Sequence, residues 1–199
     1  MRWDKFISSI LHPVVMPTVG VLLYYFLVPY NFETSKLYTL LGIIFITTYI
    51  LPILLLIVLK SLGQINSFEV FSIKERKIPL FFMVSLFLLL GNFFYKIGYF
   101  RDLSYLFLGI VMALIIVFII FLLNFKTSLH LLSIGSAVGF FLMFQIQYQI
   151  NIWPVIYILI VLSGVLGASR LSLKAHTLNE VCAGFILGII SQIAINYIL

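Results

Sequence analysis

The chain has 199 residues, 63% of them hydrophobic and 9% charged, with a mean hydropathy of +1.23. Soluble domains carry about a quarter charged residues, so the composition excludes a soluble globular protein and predicts an integral membrane protein. The net charge of +6 sits in short segments between apolar runs, which excludes a nucleic-acid-binding face and points to membrane lipid or a phosphorylated substrate as partner.

In chain order, the opening stretch MRWDKFISSILHPVVMPTVG begins basic and turns apolar without a small-residue cleavage site. It reads as a retained first helix, and its lone His12, before Pro13, reads as structural. Apolar runs of about 20 residues, the length that crosses a bilayer, fall at roughly 11–30, 37–59, 79–97, 103–125, 129–150, 152–169 and 177–198. Pro13, Pro17, Pro29 and Pro52 lie in the first two runs and predict kinks there. Connections are short and sequence repeats are absent. The expectation is one domain over 1–199: an all-α, polytopic transmembrane helical bundle of about six to seven helices.

If each run crosses once, alternate junctions share a side. One side carries Tyr30, Tyr38, Tyr95, Tyr99, Tyr105, Tyr148, Trp153 and Tyr197, as an aromatic belt should, with Gln145, Gln147 and Gln149 solvating the same side. The other side gathers three polar clusters that are far apart in sequence.

The first cluster is SIKERKIPL, where Lys74, Arg76 and Lys77 precede Pro79, read as the residue that opens the third run. A basic loop of this kind marks topology or clamps phosphate oxygens. The second is KTSLH, residues 126–130. Here Thr127 and Ser128 have the character of helix caps, Lys126 adds charge, and His130 is an ionisable group at the start of a span, suited to acid–base work.

The third cluster is GASRLSLKAHTLNEVCAG, residues 167–184. Arg170 offers a planar fork for a phosphate or carboxylate, and Lys174 anchors the lipid surface. His176 and Glu180 are four apart, on one helical face. A carboxylate behind an imidazole fixes its tautomer and prepares it as a nucleophile or acid–base group. Gly135 and Gly139, like Gly184 and Gly188, have the GxxxG spacing of closely packed membrane helices. The single cysteine, Cys182, permits no intrachain disulfide.

Ser169-Arg170, five residues, His176, three residues, Glu180, then Val181 and Ala183-Gly184 resembles the third signature of the type 2 phosphatidic acid phosphatase superfamily. That signature runs Ser-Arg, five residues, His, three residues, Asp. Thr127-Ser128-Leu129-His130 resembles its second signature, Pro-Ser-Gly-His, with Ser and His kept. The first signature, Lys, six residues, Arg-Pro, has a looser counterpart. Arg76 and Pro79 are separated by Lys77 and Ile78, and the position seven before Arg76 is Glu69.

The resemblance covers roughly residues 70–190. It implies a helical-bundle membrane phosphatase, independent of metal or other cofactor, that hydrolyses a lipid phosphate or pyrophosphate such as polyprenyl pyrophosphate, phosphatidylglycerol phosphate or phosphatidate. By position it implies His176 as the phosphorylated nucleophile and Glu180 as its orienting carboxylate. His130 becomes the acid for the leaving group, and Arg76 and Arg170 become phosphate ligands with Ser128 beside them. Lys74, Lys77 or Lys126 would supply the charge of the missing lysine.

Glu180 in place of Asp lengthens the orienting arm by one methylene, and Leu129 stands where the family has glycine. Two rival expectations therefore stand: a lipid-phosphate-binding protein that does not hydrolyse, and a transporter or flippase of an anionic lipid. Nine Lys and Arg fall on the polar side and three on the other, which by the positive-inside rule favours a cytoplasmic site. Six of the nine (Lys74, Arg76, Lys77, Lys126, Arg170 and Lys174) are candidates for phosphate handling, however, and the resemblance implies a site facing away from the cytoplasm. Short loops point to a bacterial inner membrane.

Overall fold

Among the described residues, six helices are long and apolar enough to cross a membrane: Ser35–Ser61, Ile73–Ile97, Arg101–Leu122, Leu129–Tyr148, Trp153–Ser172 and Leu178–Ile198. The computed structural model describes residues 2–28, 33–68, 72–98 and 100–199, and among these it is helical with no strand. The helices are α1 (Arg2–Ile10), α2 (Met16–Leu27), α3 (Thr34–Phe45), α4 (Leu51–Ser61), α5 (Ile73–Ile97), α6 (Arg101–Leu122), α7 (Leu129–Tyr148), α8 (Trp153–Ser172) and α9 (Leu178–Ile198). A π turn, Ile46–Ile50, joins α3 to α4 as one span. It lies just ahead of Pro52, whose missing N–H interrupts the helical ladder and produces the irregularity expected there. Pro29, Tyr30, Glu69 and Tyr99 lie outside the described residues.

Two expectations need correction. The first apolar run does not form one helix, because the chain breaks at His12 and Pro13, while Pro17 sits in the opening turn of α2, where proline is tolerated. Residues before the break form the short α1, with Trp3, Phe6 and Ile10 exposed, and α1 packs on α8. Residues after it form α2, which has only 12 residues and is shorter than a span.

The second correction is at α5. Pro79 lies inside this helix and does not open it. Ser72 is the true N-cap and accepts from the Glu75 N–H at 3.2 Å. Lys74, Arg76 and Lys77 are therefore helical residues of the first turns.

The closest helix pair in the bundle is α7 with α9. Both helices run the same way, and their glycines alternate across the contact. A Cβ on Gly139 would stand 2.8 Å from the Ile189 carbonyl oxygen, and one on Gly184 or Gly188 would run into the carbonyl of Ser128 or Leu132. Only glycine allows backbones this close, so both GxxxG pairs serve as expected. Around this pair, α6 packs on α9 and on α5, and α8 packs on α7. Outward faces carry apolar side chains such as Phe81, Leu89 and Val161, all more than 60% exposed, as surfaces solvated by lipid do.

At the end of the bundle where α7 finishes, Asp102 is buried and accepts from the hydroxyls of Tyr24 at 2.9 Å and Tyr148 at 2.8 Å. Gln147 reaches the same carboxylate at 3.4 Å, and Gln145 accepts from the Ile152 N–H at 2.9 Å. These two glutamines thus tie the junction together and do more than solvate it. Tyr38, Tyr95, Trp153 and Tyr197 remain exposed, as a belt requires.

Candidate active site

The α7–α9 contact has a direct consequence for the opposite end. It sets the two helix N-termini side by side, where the Ser128 N–H donates to the Glu180 carbonyl at 3.2 Å. His130, in the first turn of α7, and His176, just before α9, are thereby brought to one place. Parallel helix starts also direct their positive dipole ends at the same space, which favours an anion there.

Thr177 caps α9 through a capping box. Its hydroxyl accepts from the Glu180 N–H at 3.4 Å, and its own N–H donates to Glu180 Oε2 at 3.3 Å. The same Oε2 accepts from His176 Nδ1–H at 2.6 Å. One carboxylate therefore closes the helix end and fixes the imidazole tautomer, leaving the Nε2 lone pair of the neutral ring as the reactive position.

The longer arm of glutamate has a structural reason here, because a capping box takes Glu or Gln at this position. His176 is buried, which pulls its pKa down from 6.5 to about 4. The bond to Glu180 opposes that fall, and the nearby Arg76 and Arg170 add to it. At neutral pH the ring is unprotonated, as a nucleophile must be.

Arg76 from α5 and Arg170 from α8 line a cleft of about 210 Å³ together with His12, His130 and His176. The cleft runs on from this polar head between apolar side chains: Leu55 and Leu56 of α4, Met83 and Phe87 of α5, and Ile110 and Leu114 of α6. Phe87 lies 11 residues beyond Arg76 in α5, about 16 Å along the axis. A polar head continuous with an apolar groove of that reach matches an amphiphile with an anionic end.

Not every anticipated residue is in the cleft. Lys74 is exposed and Lys77 half-buried on the first turns of α5, and neither is among the residues lining it. Lys126 comes nearer, its Nζ donating to the Ala175 carbonyl at 3.5 Å. Partial burial, then the charge of Arg76, lowers its pKa, with Glu180 opposing. It is the lysine that shares the electrostatic field of the site, though it does not line the cleft. Ser128 is fully buried at the start of α7, where its backbone carbonyl faces Gly184, and it too stands outside the cleft lining.

Two contributions come from residues whose roles were not read from the sequence. Ser8 of α1 accepts from His130 Nε2–H through its carbonyl at 3.2 Å, and its hydroxyl lies 3.5 Å from Arg170 Nη1. That position depends on α1 being fastened to α8, where Ser169 Oγ donates to the Asp4 carbonyl at 2.6 Å and Ser172 Oγ to its carboxylate at 3.0 Å. His12 stands beside His130 with ring centroids 5.0 Å apart and planes nearly perpendicular. The signal for His12 was its position at a proline break on the polar side; Ser8 had no local signal.

No protein-family model matches the chain, and comparison with curated proteins and with solved structures gives no match either.

Proposed function

We propose that this protein is a membrane lipid phosphatase that hydrolyses the phosphate or pyrophosphate monoester end of a lipid through a phosphohistidine. One observation carries the reading. A neutral histidine with a carboxylate behind it stands with two arginines and a second histidine at the polar head of an apolar groove.

In this reading Arg76 and Arg170 hold the non-bridging oxygens and neutralise charge as it develops. His176 Nε2 attacks phosphorus, and the bond from phosphorus to the lipid oxygen breaks. His130 enters the step as the imidazolium, a form that the bound phosphate anion favours, with its Nε2–H on the Ser8 carbonyl, and its Nδ1–H protonates the departing oxygen. Water then attacks phosphorus, giving its proton to His130 Nδ1 as the bond from phosphorus to His176 Nε2 breaks, and inorganic phosphate leaves. The cationic side chains supply the charge stabilisation that a metal ion provides in other phosphatases.

The test is phosphate release by detergent-purified protein in the presence of EDTA, from polyprenyl pyrophosphate, phosphatidylglycerol phosphate and phosphatidate, with His176→Ala alongside. Release that survives EDTA and vanishes in the variant is expected. Full activity of His176→Ala would remove the nucleophile assignment. No release from any of the three by folded protein would leave lipid-phosphate binding or transport in its place.

By resemblance the site faces the extracytoplasmic side of a bacterial inner membrane. A cysteine introduced at Gln64 in a Cys182→Ser background should then react with an impermeant thiol reagent on intact cells; protection would put the site in the cytoplasm.

A further inference from the structure

We propose that His12 is a further phosphate-binding residue, a neutral imidazole whose Nε2–H donates to a phosphoryl oxygen held by Arg76 and Arg170. The inference rests on reading this cleft as a phosphate site. It starts from the break between α1 and α2, where the Val14 N–H donates to His12 Nδ1 at 3.3 Å. An imidazole nitrogen that accepts from an amide carries no proton, so the proton of the neutral ring is on Nε2. Nε2 lies on the opposite edge of the ring, and His12 lines the cleft.

Its neighbours agree with a neutral donor. Burial, with the charge of Arg170 adding to it, holds the His12 pKa below its ordinary value, so the ring adds a hydrogen bond without a third positive charge. Among the described residues no lysine lines this cleft. A transferring phosphoryl group presents three equatorial oxygens, and two guanidiniums with one further donor can bind all three. The His12 ring is also packed perpendicular to His130 at 5.0 Å, so a purely structural role is the rival explanation.

Two substitutions separate the roles. His12→Phe keeps a ring against His130 and loses the N–H; His12→Gln keeps an N–H donor and loses the ring. Binding of inorganic phosphate to the full-length protein in detergent is measured by calorimetry, with the melting temperature as a check on folding. The phenylalanine variant should bind roughly ten- to a hundredfold more weakly, the loss of a hydrogen bond to a charged group. The glutamine variant should stay within about threefold of wild type.

The reverse order, equal losses in both, or no loss in either would each overturn the assignment. Wild-type protein that binds and releases phosphate normally while His12→Phe is unaffected would remove this inference alone. The expected order of binding across wild type and the two variants, with no hydrolysis of lipid phosphate by wild type, would sustain His12 and remove the hydrolytic reading.

Discussion

The two ends of the bundle both bury polar groups in an apolar molecule, and they do so in opposite ways. At the far end a single carboxylate, Asp102, gathers two tyrosine hydroxyls and an amide around it. Acceptor and donors are matched there, and such a network holds helices in place. At the other end three imidazoles and two guanidiniums face one cleft, and the carboxylate beside them, Glu180, is already committed to His176 and Thr177. A positive excess facing an open groove is arranged for something that arrives. The difference separates a lock from a site.

Substitutions can sharpen that contrast. The largest effect is expected where one contact serves both stability and the site. Gly184→Leu forces a side chain against the Ser128 carbonyl and should destabilise the protein by about 3 kcal/mol. It should also abolish phosphate release, because it drives His130 and His176 apart. A Gly184→Leu protein with an unchanged melting temperature would mean that α7 and α9 do not pack through this glycine.

A smaller effect, confined to stability, is expected at the far end. Asp102→Ala leaves the Tyr24 and Tyr148 hydroxyls without this acceptor and should cost about 1–3 kcal/mol in thermal or denaturant unfolding. In the surviving folded protein kcat/KM should be unchanged. A fall in kcat/KM of tenfold or more would show that the two ends are coupled and that the lock is part of the machinery.

The smallest expected effect is a displacement in pH. His176 in the folded protein has a pKa lowered from 6.5 to about 4, so acid removes its lone pair only near that value. The acid limb of kcat/KM should accordingly lie well below 6.5. Glu180 raises the pKa through its bond and charge, so Glu180→Gln should move the limb lower still while slowing turnover. Upward movement of the limb in that variant would contradict the geometry of the pair. The same shift bears on stability. Between about 4 and 6.5 the unfolded chain binds the proton and the folded chain does not, so this histidine makes the protein less stable as pH falls through that window.

Much of the architecture was legible because lipid imposes a simple rule on length and polarity. The spans from α5 to α9 end within a few residues of the apolar runs, except at the start of α5, where Ser72 and Glu75 extend the helix past the basic residues. The first run misled because a single proline, Pro13, barely lowers the hydropathy of a long apolar stretch yet divides the backbone beneath it. The GxxxG pairs were read correctly because their meaning is steric and local.

At the candidate site, the four-residue spacing pointed to the His176–Glu180 pair, but the two do not share a helical face: His176 precedes the Thr177 N-cap, and Glu180 reaches back across the helix start to meet it. The capping box that explains glutamate at 180 was also present, as Thr177 three residues before it. Ser8 could not be found this way. It reaches His130 only because α1 folds back onto α8, a contact that no periodicity encodes. The choice among lysines likewise waited on knowing which side of α5 and of the 122–129 junction faces the cleft.

The most direct measurement is chemical trapping. Protein is mixed for milliseconds with a lipid phosphate labelled in its phosphoryl group, quenched in alkali, and mapped by peptide. An acid-labile, alkali-stable label on the peptide containing His176, absent in His176→Asn, is the predicted result. Phosphate release with no label on that peptide, or a label that persists in His176→Asn, would contradict the account.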